Sequence, residues 1–187
     1  MHILKSNREE QLVERIRDGE NQALRDFYAL YSESLTAVCS RYIVNEEDLK
    51  DVFQEALIQI FTHIRQFSYR GDGSLGAWAT KIVVNESLRF LKRSKIQEFA
   101  SLDWDVTDEP EDEDPPVSNV PPDVLHRMIC ELPTGYRTVF NLYVFEDKSH
   151  KEIAELLGIK KDTSASQLSR AKNLLAKKIR EYINLNQ

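Results

Sequence analysis

An acidic, proline-rich stretch divides this chain of 187 residues into two parts. Residues 97–123 carry 10 acidic groups, no basic group and five of the six prolines. A segment of this composition cannot bury enough apolar surface to offset the entropy lost on ordering, and like charges and proline keep it extended. We therefore predict an acidic linker over 97–123 that joins a domain of residues 1–96 to a domain of residues 124–187.

Apolar residues recur at spacings of three and four on both sides of the linker, and this spacing predicts helices. Only six glycines occur, which is few for a β-rich chain with many turns. The fold class predicted is all-α, with two small helical domains. In the first domain, Asn45 is placed to cap one helix and Ser74 to cap another, with a glycine-containing loop before Ser74.

The second domain contains the pattern of a helix-turn-helix. Ser149 and Glu152 form a capping box, and Gly158 is a good terminator for the short helix that they open. A second helix with small residues at its start follows, and in this motif such a helix enters the major groove. A plain helical hairpin with a solvated polar face is the alternative interpretation.

We expect the outer face of that second helix to contact DNA. Arg170 can bond guanine through two donors and Gln167 can pair with adenine, whereas Ser166 and Ser169 can bond bases or phosphates. Ser164 falls on the inner apolar stripe and is not expected to contact a base. Lys160, Lys161 and Lys172 are suited to phosphate contacts.

A basic stripe is predicted on the helix that follows Ser74. Lys81, Asn85, Arg89 and Lys92 step by four, four and three, so they share one face. Together with Phe67 and Tyr69 in the preceding loop, this stripe suits single-stranded nucleic acid, because cations follow the backbone and aromatic rings stack on bases. The alternative is a solvated basic face, with Phe67 and Trp78 in the core.

The net charge of −6 does not argue against binding to nucleic acid, because the acidity lies in the linker. Residues 1–96 are neutral overall and residues 124–187 carry 11 basic and 7 acidic groups. Cys39 and Cys130 have no CxxC or Cys/His pattern, so we predict small buried hydrophobes rather than a metal site. No nucleophile–base pair is evident, and we predict neither an enzyme nor a cofactor.

The N-terminal residues lack the apolar core of a signal peptide, and no run of about 18 apolar residues occurs. The chain is therefore predicted to be cytoplasmic, with no membrane insertion.

Taken together, these segments resemble the sigma-70 family, and within it the extracytoplasmic-function (ECF) group. DVFQEALIQIF is similar to the family's helix that binds core RNA polymerase. FSYRGDGSLGAWATKIVVNESLRFLKR resembles the segment that melts and reads the −10 element, and LPTGYRTVF with SHKEIAELLG resembles the domain that reads the −35 element. The resemblance covers about residues 20–95 and 122–180.

The resemblance implies a role for each motif position. Asp51, Gln54 and Glu55 are implied to bind core RNA polymerase, although composition alone indicates only a solvated acidic face. The loop from Phe67 to Gly76, which contains Tyr69, is implied to capture a flipped non-template base together with Asn85. The remaining implied contacts are Lys81, Arg89 and Lys92 with strand phosphates, and Thr163, Ala165, Ser166, Ser169 and Arg170 with the −35 duplex.

The implied partners are core RNA polymerase, promoter DNA and an anti-sigma protein. Ala165 departs from the family, which often has a long polar or basic residue there, and Asp147 lies in a turn where glycine is frequent. Two other functions are consistent with parts of the sequence. One is a stand-alone helix-turn-helix regulator, and the other is an interaction module such as a decoy for an anti-sigma protein.

Overall fold

The computed structural model describes residues 3–93 and 115–186. The chain divides into two compact units, with the division after Arg93. All regular elements in the described ranges are helical, which confirms the predicted fold class. The first unit contains α1 (Ile3–Arg17), α2 (Asn21–Ser40), α3 (Glu46–His63) and α4 (Ser74–Arg93), with a 3₁₀ turn at Ile64–Gln66. The second contains a 3₁₀ turn at Val117–Asn119, then α5 (Pro122–Cys130), α6 (Thr134–Val144), α7 (His150–Leu157) and α8 (Lys161–Leu185).

The core of the first unit lies between α2, α3 and α4, and α1 packs on α2. Asn45 caps α3 as predicted, since its side-chain oxygen accepts hydrogen bonds from the backbone amides of Glu47 and Asp48 at 3.0 and 3.1 Å. Three acidic residues in the first turn of α3 add a favourable interaction with the helix dipole. The large fully buried side chains include Phe27, Leu35, Tyr42, Ile60 and Leu75.

One face of α4 packs into the core of the first unit. Val83 and Leu88 are buried together with Leu75 and Leu91, whereas Ile82 is only half-buried. Ser74 is the first residue of α4 rather than its cap, and its hydroxyl accepts a hydrogen bond from the backbone amide of Arg70 at 3.2 Å.

The second unit is held together by α8, which packs against α5, α6 and α7. Val120 belongs to this core, because it is 7% exposed and lies in one cluster with Met128, Ile129 and Leu175. The packed structure of the second unit therefore begins before α5, a few residues ahead of the predicted boundary at residue 124. The rest of the predicted linker, residues 97–114, lies outside the described residues.

A buried arginine joins α5 to α6. Nη1 of Arg137 donates hydrogen bonds to the backbone carbonyls of Cys130 at 2.9 Å and Leu132 at 2.7 Å. Burial lowers the pKa of Arg137 from its ordinary value, yet a guanidinium remains charged at neutral pH. Arg137 therefore satisfies carbonyls at the end of α5 that have no partner within the helix.

The two cysteines occupy different surroundings. Cys39 is buried as predicted, its sulfur lies 3.6 Å from the hydroxyl of Ser87, and burial raises the pKa of its thiol. Cys130 is only half-buried, and its sulfur lies 3.5 Å from Nε2 of His126.

Candidate nucleic-acid interface

Helices α7 and α8 form the predicted helix-turn-helix. Ser149 caps α7 in a complete capping box, in which Glu152 Oε2 accepts from the Ser149 amide at 2.9 Å and Ser149 Oγ accepts from the Glu152 amide at 3.3 Å. The two hydrogen bonds to Ser149, first from its amide and then from its hydroxyl, lower the pKa of Glu152. Gly158 ends α7 in the left-handed conformation with φ of 70°, so this position favours glycine.

The first turns of α7 and α8 are tied together. His150 Nδ1 lies 3.0 Å from Oγ of the fully buried Ser164. The imidazole of His150 also stacks on the ring of Tyr143, with centroids 4.9 Å apart. This contact fixes the start of α8, the part of the helix that a major groove would receive. It also confirms that Ser164 faces inward.

Most of the predicted base-reading residues lie on the outer face of α8. Ala165, Ser166, Ser169 and Lys172 are exposed, and Thr163 and Arg170 are half-buried. Nη1 of Arg170 donates to the hydroxyl of the buried Tyr136 at 3.3 Å, which orients the guanidinium on the surface. Lys160 and Lys161 are exposed where α8 begins.

The structure corrects the prediction that Gln167 pairs with adenine. Its side chain is 6% exposed and lies on the inner face of α8 with Ser164, Leu168 and Ala171. The reason is helical geometry: residue 167 is three positions from 164 and four from 171, so all three share one face. An adenine cannot reach a side chain packed between helices, and Gln167 is withdrawn from the candidate interface.

The basic stripe of α4 is present as predicted. Lys81, Asn85, Arg89 and Lys92 are all exposed on one face of the helix. Arg89 also forms an ion pair with the buried Glu86 at 3.2 Å. The Arg89 guanidinium is therefore held beside a neighbouring carboxylate.

The loop that precedes α4 runs from Phe67 to Gly73. The prediction that the ring of Phe67 stacks on a base is the second one that the structure corrects. Its ring is 6% exposed and packs on Trp78 with centroids 5.1 Å apart. The interpretation that places this ring in the core is the correct one, because a ring used in packing is not available to stack on a base. Tyr69 is half-buried, and its hydroxyl donates to Oδ1 of Asp72 at 3.1 Å.

The sequence prediction missed the contacts that α1 makes with this loop. Glu9 accepts hydrogen bonds from the backbone amides of Gly73 and Leu75, and Arg17 donates to the backbone carbonyl of Phe67. The partners are 50 to 66 residues apart in the chain. No local pattern indicates such a contact, and only a packed structure reveals it.

The acidic face of α3 borders the basic stripe of α4. Asp51, Gln54 and Glu55 are exposed, and Ile58, one turn further along the same face, is 56% exposed. Asp51 and Glu55 also line a shallow cavity with Arg89 and Arg93 of α4. Asp51, Gln54, Glu55 and Ile58 therefore share one exposed face of α3.

Among the residues that the structure describes, no three His, Cys, Asp or Glu side chains are grouped as metal ligands would be. In the same ranges, no helix combines the length and the apolar character that a membrane span needs.

Comparison with known proteins assigns both units to one family. Residues 27–96 match the model described as Sigma-70 region 2, and residues 123–175 match Sigma-70, region 4. The chain belongs to the sigma-70 family. The two matched ranges contain the α3 face, the α4 stripe and the helix-turn-helix, whereas α1 precedes the first range.

Full-length relatives identify the ECF group within this family. The chain is 27% identical over 179 residues to the ECF RNA polymerase sigma-E factor of Haemophilus influenzae, covering 90% of this chain and 93% of that protein. It is 24% identical over 180 residues to the ECF RNA polymerase sigma factor SigW of Bacillus subtilis, covering 90% and 95%. The RNA polymerase sigma-H factor of Pseudomonas aeruginosa is 24% identical, with 97% and 98% covered.

The sigma-70 chain is thus a promoter-recognising initiation factor that works with RNA polymerase and promoter DNA. A stand-alone regulator is not favoured, because it has no need of region 2. Neither matched model describes an enzyme.

Proposed function

We propose that this sigma factor binds one promoter through two surfaces, one on each of its two units. The second unit binds the −35 element as double-stranded DNA. The first unit, bound to core polymerase, binds the separated strands of the −10 element. The observation that carries the proposal is the exposure of the α4 stripe in one unit and of the outer face of α8 in the other.

In the −35 contact, α8 enters the major groove with its first turns. Arg170 is the residue best suited to read a guanine, because its guanidinium can donate two parallel hydrogen bonds to O6 and N7. Ser166 and Ser169 bond bases or phosphates, and Thr163 and Ala165 contribute close packing. Lys172, together with Lys160 and Lys161, binds phosphates and adds affinity that does not depend on sequence.

In the −10 contact, Asn85 bonds a base that has left the stack, and Lys81, Arg89 and Lys92 bind the phosphates of that strand. Unpairing and unstacking cost a few kcal/mol per base, and capture of the flipped base offsets part of that cost. Tyr69, whose ring is half-buried, is the aromatic residue of the loop that we expect to stack on a base, since Phe67 packs in the core.

In the polymerase contact, Asp51, Gln54 and Glu55 on α3 bind the core enzyme. Three acceptors spaced by three and one on a single helical face offer directional bonds to a basic or amide-bearing partner. We also propose that an anti-sigma protein covers these exposed surfaces when the factor is inactive, and that the factor acts in the cytoplasm, where core polymerase is found.

The test is transcription from a pool of randomised promoters by purified core RNA polymerase with and without this chain. The proposal predicts transcripts that depend on the chain and share two conserved elements upstream of their start sites. A chain that binds duplex DNA alone but supports no transcript would indicate a regulator. A chain that supports neither would indicate a decoy or another interaction module.

A further inference from the structure

One carboxylate in α1 holds both the end of the loop Phe67–Gly73 and the start of α4. Oε2 of Glu9 accepts a hydrogen bond from the amide of Gly73 at 2.8 Å. Oε1 of Glu9 accepts from the amide of Leu75 at 3.0 Å and from the hydroxyl of Tyr31 at 3.0 Å. Glu9 therefore performs from another helix the capping role that the sequence assigned to Ser74.

The chemistry of this contact is that of a helix N-terminus. The first amides of α4 have no partner within the helix, and a negative charge near them is stabilised by the helix dipole. Gly73 has φ of 82° and Gly71 has φ of 110°. Because this backbone is flexible when free, external hydrogen bonds are needed to fix it in one conformation.

The other end of the same loop is held by Arg17, also in α1. Its Nη2 donates to the backbone carbonyl of Phe67 and its Nε donates to that of Ile64 at 3.4 Å. An ion pair between Nη1 of Arg17 and Glu14 at 2.6 Å orients the guanidinium. Glu9 and Arg17 are eight residues apart, about 12 Å along the helix axis.

We infer that α1 holds the loop Phe67–Gly73 in the conformation that captures a base. Glu9 and Arg17 are then positioning residues for −10 recognition. Neither touches DNA in this scheme. By fixing both ends of Phe67–Gly73, they hold Tyr69 and the start of the α4 stripe in the geometry that an unstacked base requires. This inference rests on the proposed function, and it concerns a helix that lies before the region 2 match at residues 27–96.

The test compares Glu9→Gln with Glu10→Gln in the full chain bound to core polymerase. Glu10 is the neighbouring residue on α1, is exposed, and loses the same charge. Binding is measured with a single-stranded −10 oligonucleotide taken from a promoter that the wild-type chain selects, with 2-aminopurine in place of successive bases. Affinity for core polymerase and the thermal unfolding midpoint are measured on the same samples.

We expect Glu9→Gln to weaken capture of the oligonucleotide by about fivefold to tenfold, the loss typical of a capping contact. Its 2-aminopurine signal falls at one position, whereas affinity for core polymerase stays at the wild-type value and the unfolding midpoint falls by no more than about 8 °C, the shift expected for loss of one helix cap. Arg17→Lys produces the same pattern, because a lysine ammonium cannot replace the planar guanidinium that donates hydrogen bonds to the carbonyls of Ile64 and Phe67.

Three results would overturn the inference: capture within about twofold of wild type, an equal loss in Glu10→Gln, or a parallel loss of core-polymerase binding, which indicates a general structural role. Failure of the wild-type chain to select any promoter is a different result. It would overturn the proposed function, and with it the inferred role of α1 in −10 recognition.

Discussion

His150 and Ser164 join the two helices of the helix-turn-helix through a polar contact of 3.0 Å. Ser164 is fully buried, so its hydroxyl has lost its hydration, and the imidazole of His150 replaces the lost water. A polar residue inside this motif therefore has a structural role rather than a base-reading one. The contact also explains how α8 is held at a defined angle to α7.

Substitution Ser164→Ala removes this contact and leaves the imidazole of His150 without its partner. We expect the free energy of unfolding of the second unit to fall by about 1–2 kcal/mol, the cost of breaking one buried hydrogen bond. Hydrogen exchange measured by mass spectrometry resolves α7 and α8 from the first unit. Ser166→Ala is the control, because Ser166 is exposed and its hydroxyl donates to the carbonyl of Thr163 in the same helix at 3.0 Å; equal losses would contradict the account.

Arg170→Ala is expected to reduce discrimination between the selected −35 sequence and a scrambled duplex by about 1–3 kcal/mol. Arg170→Lys is expected to lose most of the same discrimination, because an ammonium cannot donate two parallel bonds. Fluorescence anisotropy with both duplexes measures the effect. If Arg170→Lys discriminates as well as wild type, the two-donor contact with guanine does not exist.

Lys81→Ala is expected to reduce the salt dependence of −10 strand binding. One phosphate contact contributes about 0.7 to the slope of log K against log salt concentration for a single strand. Lys50→Ala, an exposed lysine of α3 outside the stripe, should leave the slope unchanged. The prediction fails if both variants change the slope alike, since Lys81 then contributes only to the general charge.

Gln54→Ala is expected to weaken binding to core polymerase by about tenfold, as for loss of a hydrogen bond to a charged partner group. The unfolding transition should not move, because Gln54 is exposed on α3. Gln22→Ala is the matched control: that glutamine is exposed on α2 and bonds Asp26 at 3.0 Å. Titration of labelled chain with core enzyme distinguishes the two variants.

The capping box predicts a dependence of stability on pH. Because hydrogen bonds to Ser149 lower the pKa of Glu152 from its ordinary value of 4.5, the folded state binds fewer protons there than the unfolded state. The stabilisation is therefore complete above pH 4.5 and is lost as pH falls through the lowered pKa. The difference in stability between wild type and Glu152→Gln should shrink on acidification; a difference that grows would reverse the assigned sign.

Sequence reasoning succeeded where the physical signal is local. The capping box at Ser149, the cap at Asn45 and the turn at Gly158 each depend on residues within four positions, and each is found as predicted. The spacing of Lys81, Asn85 and Arg89 likewise fixes a common helical face without knowledge of the partner helices.

It failed where long-range packing decides. Phe67 is an aromatic in a loop, and only the position of Trp78 shows that the ring is used in the core. Gln167 is a failure of another kind: it shares a face with Ser164 and Ala171, so its burial could have been deduced from the local spacing, but its polar side chain suggested the outer face. The contacts of Glu9 with Gly73 and of Arg137 with Cys130 depend on how helices meet, which no residue pattern specifies.

The most direct test of the two-surface account is photo-cross-linking of the complex of core polymerase, this chain and a selected promoter. A benzophenone amino acid is placed at position 85 in one sample and at position 169 in another. The account predicts cross-links from position 85 to the non-template strand of the −10 element and from position 169 to the −35 duplex. Cross-links from both positions to one element, or none to DNA from position 85, would contradict it.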